Sequence, residues 1–229
     1  PGVSAAMPLN AFLNMQLAFV FLAIIVFIFK GNAVEMTAMR IPAYIGAVFY
    51  SIVPVLIILF AISEKLAKKI IAFFIRAGGK IRLVRDVDAT MGTIFHSLED
   101  YRTSLGMMAK NVKAVIVLFV FSLLYQIAIS SIPFFVLHAY QGKGTYIDIT
   151  AMTVFIYCAI TIIPTPGNSG AAEGSFYLVF SSLESSGLFW GMLIWRVICY
   201  YSFIVIGILI YGYNALAERI RSWKQKHGQ

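Results

Sequence analysis

Long apolar runs dominate the chain, separated by short polar linkers and one extended basic stretch. The first run, Phe12 to Phe29, is uncharged and would reach about 27 Å as a helix rising ~1.5 Å per residue. A hydrocarbon core about 30 Å thick makes it a spanning segment. The second, Ile41 to Ile62, is also uncharged and would reach about 33 Å. Pro42 falls in its first turn, where a missing N–H costs little. Pro54 lies inside it and predicts a kink that neighbouring helices can tolerate. The third run, Ala114 to Leu137, and the last, Gly187 to Tyr211, are long enough to span with tilt.

Between the third and last runs the pattern changes. Ile149 to Ile163 would make only about 22 Å of helix, too short to cross. It ends in Pro164-Thr165-Pro166-Gly167-Asn168-Ser169-Gly170-Ala171-Ala172-Glu173, and a second short apolar piece runs from Gly174 to Leu183. Two short helices joined by a proline-glycine loop are thus predicted.

Composition supports a bilayer environment. Of 229 residues, 60% are hydrophobic and 12% charged, with a mean hydropathy of +0.86. A soluble domain carries about 25% charged residues, so a cytosolic enzyme, a secreted disulfide scaffold and a disordered tail are all excluded. The net charge of +8 comes from 18 basic and 10 acidic residues. In a membrane protein such an excess faces anionic headgroups, so no nucleic-acid partner is expected.

The basic residues are concentrated. Residues 63–113 hold Lys65, Lys68, Lys69, Arg76, Lys80, Arg82, Arg85, Arg102, Lys110 and Lys113. Within them Leu66, Ile70, Phe73 and Phe74 follow helical spacing. A basic amphipathic helix lying in the interface and a helix continuing into solvent both fit, with Gly78-Gly79 expected to break it. The tail, residues 212–229, adds Arg219, Arg221, Lys224 and Lys226.

The positive-inside rule places both basic regions in the cytoplasm. The linkers at 30–40 and 138–146 then lie outside, and residues 138–186 must enter and leave by one face. A re-entrant hairpin over residues 149–183 satisfies this parity. The expected domain organisation is therefore one integral membrane domain over residues 1–229. Residues 1–62 end a first half, 63–113 form the cytoplasmic amphipathic segment, 114–211 form a second half with the hairpin, and 212–229 form the tail. The chain opens at Pro1 with no basic n-region or small-residue cleavage site, so no signal peptide is expected and an internal fragment is.

The hairpin tip carries the candidate chemistry. Pro164 and Pro166 remove backbone donors, while Gly167 and Gly170 permit positive φ. Irregular backbone at membrane depth persists only where protein or a wet cavity lines it. Broken half-helices of this kind often form transport sites, and their free N–H groups favour a phosphate or carboxylate. Glu173 would fall in the first turn of the second half-helix. Arg196 is the one charge in the last run, near mid-depth, and an intramembrane ion needs a partner or a function. Three readings stay open. Glu173 and Arg196 could lock the hairpin to the last helix, contact a lipid phosphate, or, through Glu173, relay protons.

Other signals are weaker. Gly167-Asn168-Ser169-Gly170 matches the G-x-S-G of rhomboid proteases, but the histidine that follows, His227, lies in the tail. The fifth residue, Ala171, also breaks the hydrolase elbow. Asp86-x-Asp88, Glu99-Asp100, His96 and His138 lack ligand spacing, so no metal or cofactor is expected. Cys158 and Cys199 are far apart and form no C-x-x-C. Gly187-x-x-x-Gly191 matches a small-residue packing motif, expected to contact the hairpin. Trp190, Trp195, Tyr200 and Tyr201 read as packing or belt residues.

At Pro164-Thr165-Pro166-Gly167-x-x-Gly170-x-x-Glu173, followed by a helix bearing Arg196, the chain resembles the flippase-like membrane family. This is the family of the lysylphosphatidylglycerol synthase transmembrane region, also called multiple peptide resistance factor. The resemblance covers most of the chain from about residue 10. It implies an all-α polytopic membrane protein with about four full spans plus the hairpin, the C-terminal part of an inverted-repeat bundle. A related earlier motif should end where Pro1-Gly2-Val3-Ser4 begin, so the first helices and half of a two-fold-related site are expected to be lacking. The resemblance implies a protein of the bacterial plasma membrane that moves anionic or aminoacylated phospholipid between leaflets. Its site would be Pro164, Pro166, Gly167, Asn168, Ser169, Gly170, Glu173 and Arg196. The alternative is the membrane portion of a phosphatidylglycerol lysyltransferase, although no residue here supports catalysis. A homo-oligomer and a separate aminoacyltransferase remain open as partners.

Overall fold

The computed structural model describes residues 2–31, 37–80, 90–95, 99, 102–103, 106, 111–163, 165–183 and 186–227. In chain order the helices are α1 (Gly2–Lys30), α2 (Thr37–Ile62), α3 (Glu64–Lys80), α4 (Val112–Ala139), α5 (Tyr146–Ile160), α6 (Ala171–Phe180), α7 (Leu188–Arg196) and α8 (Ser202–His227). Among the described residues there is no strand. Among the described residues, four segments are long and apolar enough to cross a bilayer: Asn10–Lys30, Met39–Phe60, Val112–Ala139 and Leu188–Arg219. The last joins α7 to α8 through a π-helical turn, Val197–Tyr201. The chain is an all-α polytopic membrane protein, and large apolar side chains such as Ile28, Phe29 and Tyr211 face outward, as lipid contact requires.

The short helix α5 sits at the centre. It is apolar on all sides and buried along most of its length, the pattern of a core helix rather than a surface one. It packs on α2, α4, α1 and α6. Gly46 of α2 lets the two backbones touch, since a Cβ there would meet the Cys158 carbonyl oxygen at 1.8 Å. Thr145 caps α5 by accepting a hydrogen bond from the Asp148 backbone at 3.2 Å.

The hairpin is visible in its own hydrogen bonds. The Lys143 N–H donates to the Leu183 carbonyl at 3.0 Å, and the Ser186 hydroxyl donates to the Tyr140 carbonyl at 3.3 Å. Entry and exit therefore meet at one end. There Lys30, the last residue of α1, pairs with Asp148 at 2.7 Å.

Two local expectations need correction. Helix α3 continues through Gly78-Gly79 to Lys80, so that pair does not break it. The Gly187-x-x-x-Gly191 motif packs chiefly on the end of α4 instead of on the hairpin. A Cβ at Gly187 would collide with Tyr140 and one at Gly191 would lie 3.2 Å from Leu137, with Phe176 of the hairpin at 4.0 Å. Removing the side chain at both positions lets α7 close against α4. Asp86, Asp88, His96 and Asp100 lie outside the described residues.

Candidate functional site

The hairpin tip is a short 3₁₀ turn, Pro166–Asn168, held by the Asn168 N–H donating to the Thr165 carbonyl at 2.9 Å. Gly167 (φ 65°), Asn168 (φ 52°) and Gly170 (φ 83°) all adopt left-handed or positive-φ backbone. Asparagine visits that region more readily than most side chains. At Gly167 glycine is required twice over, because a Cβ would also lie 2.0 Å from the Tyr200 hydroxyl oxygen.

Gly170 then starts α6, and Glu173 curls back to accept the Gly170 N–H through Oε2 at 2.6 Å. This is one arm of a capping box, with the carboxylate placed at the positive end of the helix dipole. Its other oxygen, Oε1, accepts from Arg196 Nε at 2.7 Å. Arg196 Nη2 donates to the Gly167 carbonyl at 3.1 Å and reaches the Ser169 hydroxyl at 3.4 Å. The guanidinium stacks over the Tyr200 ring, 4.7 Å from its centroid. One arginine thus gathers the turn, the α6 N-terminus and the π-helical turn into a single unit.

Burial makes this unit consequential. The Arg196 side chain is 7% exposed and that of Glu173 27%. A charge so placed is tolerable because it is paired and multiply hydrogen-bonded. Glu173 supplies to the α6 N-terminus the negative charge that an external anion would otherwise bring. Arg196 Nη1 has no hydrogen-bond partner among the described residues.

Beside the tip lies a cavity of about 290 Å³, whose lining includes Tyr50, Tyr125, Gln126, Tyr157, Asn168 and Cys199. Tyr50 and Gln126 come from the middle thirds of α2 and α4, so the tip reaches mid-span. Tyr157 is fixed by the Trp195 indole N–H, which donates to its hydroxyl at 3.3 Å. Trp195 in turn stacks on Phe176 of α6, with centroids 5.0 Å apart. The side chain next to Arg196 therefore seats α6 against α7.

Of the residues singled out from sequence, Gly167, Ser169, Gly170, Glu173 and Arg196 converge, and Asn168 lines the cavity. Pro166 opens the 3₁₀ turn; Pro164 lies outside the described residues. Sequence reasoning named Tyr200 only as a packing or belt residue and missed its contact with Arg196, which its place four positions later could have suggested. It also missed the Lys30–Asp148 pair, although each residue is a lone charge at the border of an apolar run. No group of three or more His, Cys, Asp or Glu comes together among the described residues to hold a metal ion.

A family model described as the lysylphosphatidylglycerol synthase TM region matches residues 3–207. No curated protein and no solved structure matches the chain.

Proposed function

We propose that this chain, which belongs to the lysylphosphatidylglycerol synthase transmembrane-region family, translocates an anionic or aminoacylated phospholipid between leaflets. The observation that carries this reading is the mid-span cavity of about 290 Å³ beside a tip that holds a buried arginine. Ligand pockets run from about 300 Å³ upward, so this volume suits a headgroup while acyl chains stay among the outward-facing apolar side chains. Arg196 Nη1 is the guanidinium donor that Glu173, Gly167 and Ser169 leave unused, and a guanidinium binds phosphate well. The Tyr50, Tyr125 and Tyr157 hydroxyls offer neutral partners to the rest of a headgroup. Asn168 lines the cavity; Pro164, Pro166, Gly167, Ser169 and Gly170 belong to the same translocation site in this reading, and Glu173 holds Arg196 between turnovers. The reading places the protein in the bacterial plasma membrane with its C-terminus in the cytoplasm. Membrane phospholipid is then the partner, and a second copy or a separate aminoacyltransferase is compatible with it.

The test is leaflet exchange of fluorescent phosphatidylglycerol in reconstituted vesicles, read by quenching with a membrane-impermeant reductant. The intact chain should accelerate exchange, and Arg196→Ala should lower the rate at least about tenfold, the loss of ~1.4 kcal/mol of differential binding. The double variant Glu173→Gln with Arg196→Met guards against misfolding, because replacing a buried pair by neutral groups can leave stability nearly unchanged. A folded double variant that still exchanges lipid at the original rate would reduce the pair to a structural lock and sink the proposed site.

The description of the matching family favours a second reading, the membrane portion of a phosphatidylglycerol lysyltransferase. Loss of lysyl-lipid from cells on deletion of this chain, with leaflet exchange unchanged, would select it.

A further inference from the structure

Helix α3 has a surface that neither the hairpin nor the cavity uses. It leaves the end of α2 after one residue, Ser63, whose hydroxyl accepts the Leu66 N–H at 3.3 Å. Its first turn is therefore held at the edge of a membrane span. Ala67 and Ile75 are buried against the rest of the chain, whereas Leu66 is 39% exposed and Phe73 and Phe74 are each 68% exposed. On a helix of ~3.6 residues per turn, Leu66, Ile70, Phe73 and Phe74 form one ridge beside the buried face.

The charges of α3 divide around that ridge. Glu64 takes Lys68 and Arg102 at 2.6 Å each, and Lys68 lies over the Phe95 ring at 5.8 Å. The hydrogen bonds from Lys68 and Arg102 hold the Glu64 carboxyl below its ordinary range. Negative charge on α3 is thus neutralised within the chain. Lys65, Lys69 and Arg76 instead run along the free edge of the ridge and are exposed. None of the three has a carboxylate partner among the described residues.

We infer that this ridge docks on an anionic phospholipid surface, with Phe73 and Phe74 inserted and Lys65, Lys69 and Arg76 reaching the headgroup phosphates. Aromatic insertion flanked by cations on one side is the arrangement that an anionic interface rewards. The long apolar stems of the lysines and arginine let the charges stay at headgroup level while the ridge lies deeper. The occupant is fixed by charge: a zwitterionic surface satisfies the aromatic ridge but leaves the row of cations without counter-ions.

The experiment uses the full chain with a nitroxide at position 73, in a Cys158→Ser, Cys199→Ser background, reconstituted in vesicles with and without phosphatidylglycerol. Collision with lipid-soluble oxygen and with a water-soluble nickel chelate reports depth. With phosphatidylglycerol the label should favour oxygen, and high salt should weaken the preference. Lys65→Gln, Lys69→Gln and Arg76→Gln should each lower the docking equilibrium roughly fivefold. Lys68→Gln, on the paired flank, should not. A label that stays open to the nickel chelate would overturn the inference, as would docking that is equal without anionic lipid. Dipolar broadening between labels would also overturn it, by assigning the ridge to a second copy of the chain.

Discussion

Two ion pairs of equal length fasten the hairpin to the rest of the molecule, and they differ in everything except length. Arg196–Glu173 at the tip and Lys30–Asp148 at the mouth both measure 2.7 Å. At the tip the side chains are 7% and 27% exposed; at the mouth they are 35% and 32% exposed. At the tip Arg196 is buried and Glu173 half-buried, and the arginine is backed by the Gly167 carbonyl and the Tyr200 ring. The mouth pair joins the last residue of α1 to the first turn of α5 at an exposed edge where water competes. Distance alone says nothing about which matters; the surroundings of each charge decide.

The largest effect should follow from breaking the tip pair on one side. Arg196→Ala leaves the Glu173 carboxylate with backbone donors at the α6 N-terminus but no counter-charge and empties the space against Tyr200. One-sided removal from a buried pair costs about 3–5 kcal/mol, and because the carboxylate left behind is 27% exposed the loss should fall at the lower end. Unfolding in mixed micelles monitored by circular dichroism should register that loss. A cost under about 1 kcal/mol would mean that water already solvates the tip, and the contrast with the mouth would collapse.

A smaller loss is expected when the arginine stays and the backbone it reads is altered. Gly167→Ala must hold an alanine at φ 65° and place its Cβ against the Tyr200 hydroxyl. Backbone strain of this kind costs about 1–3 kcal/mol, and the collision pushes the value to the upper end. Adding Tyr200→Ala should relieve the collision while leaving the φ strain, so part of the stability should return. If it returns in full, the glycine is there for space and not for conformation.

This contrast marks how far the sequence could be read. The spans were legible because uncharged apolar runs of membrane length have few alternatives. The hairpin followed from two shorter runs and charge parity, and Glu173 with Arg196 stood out as acid and base surrounded by apolar residues. What lay beyond reading were contacts set by three-dimensional placement. The carboxylate of Glu173 caps its own helix while holding Arg196, which no spacing rule distinguishes from a charge awaiting a ligand. Tyr200 is brought over Arg196 where the helix widens into a π-helical turn, and π-helical turns have no reliable sequence signature. The small-residue motif at Gly187 and Gly191 announced close packing but not its partner, because both α4 and α6 offer apolar surfaces nearby.

The mouth pair should yield the smallest change. Asp148→Asn removes the charge on one side of a pair that is about one-third exposed on each partner, and Lys30 can then turn to water. Exposed pairs of this kind contribute about 0.2–1 kcal/mol, less in salt. The Thr145 hydroxyl, which donates to Asp148 Oδ2 at 2.6 Å, can still donate to the asparagine carbonyl, so the start of α5 keeps its cap. Unfolding should shift by under about 1 kcal/mol, and high salt should shrink even that difference. The same measurement on Lys30→Gln should give a similarly small number. A loss near that of Arg196→Ala from either variant would show that the mouth is as dry as the tip, and that the hairpin is clamped at both ends instead of anchored at its tip.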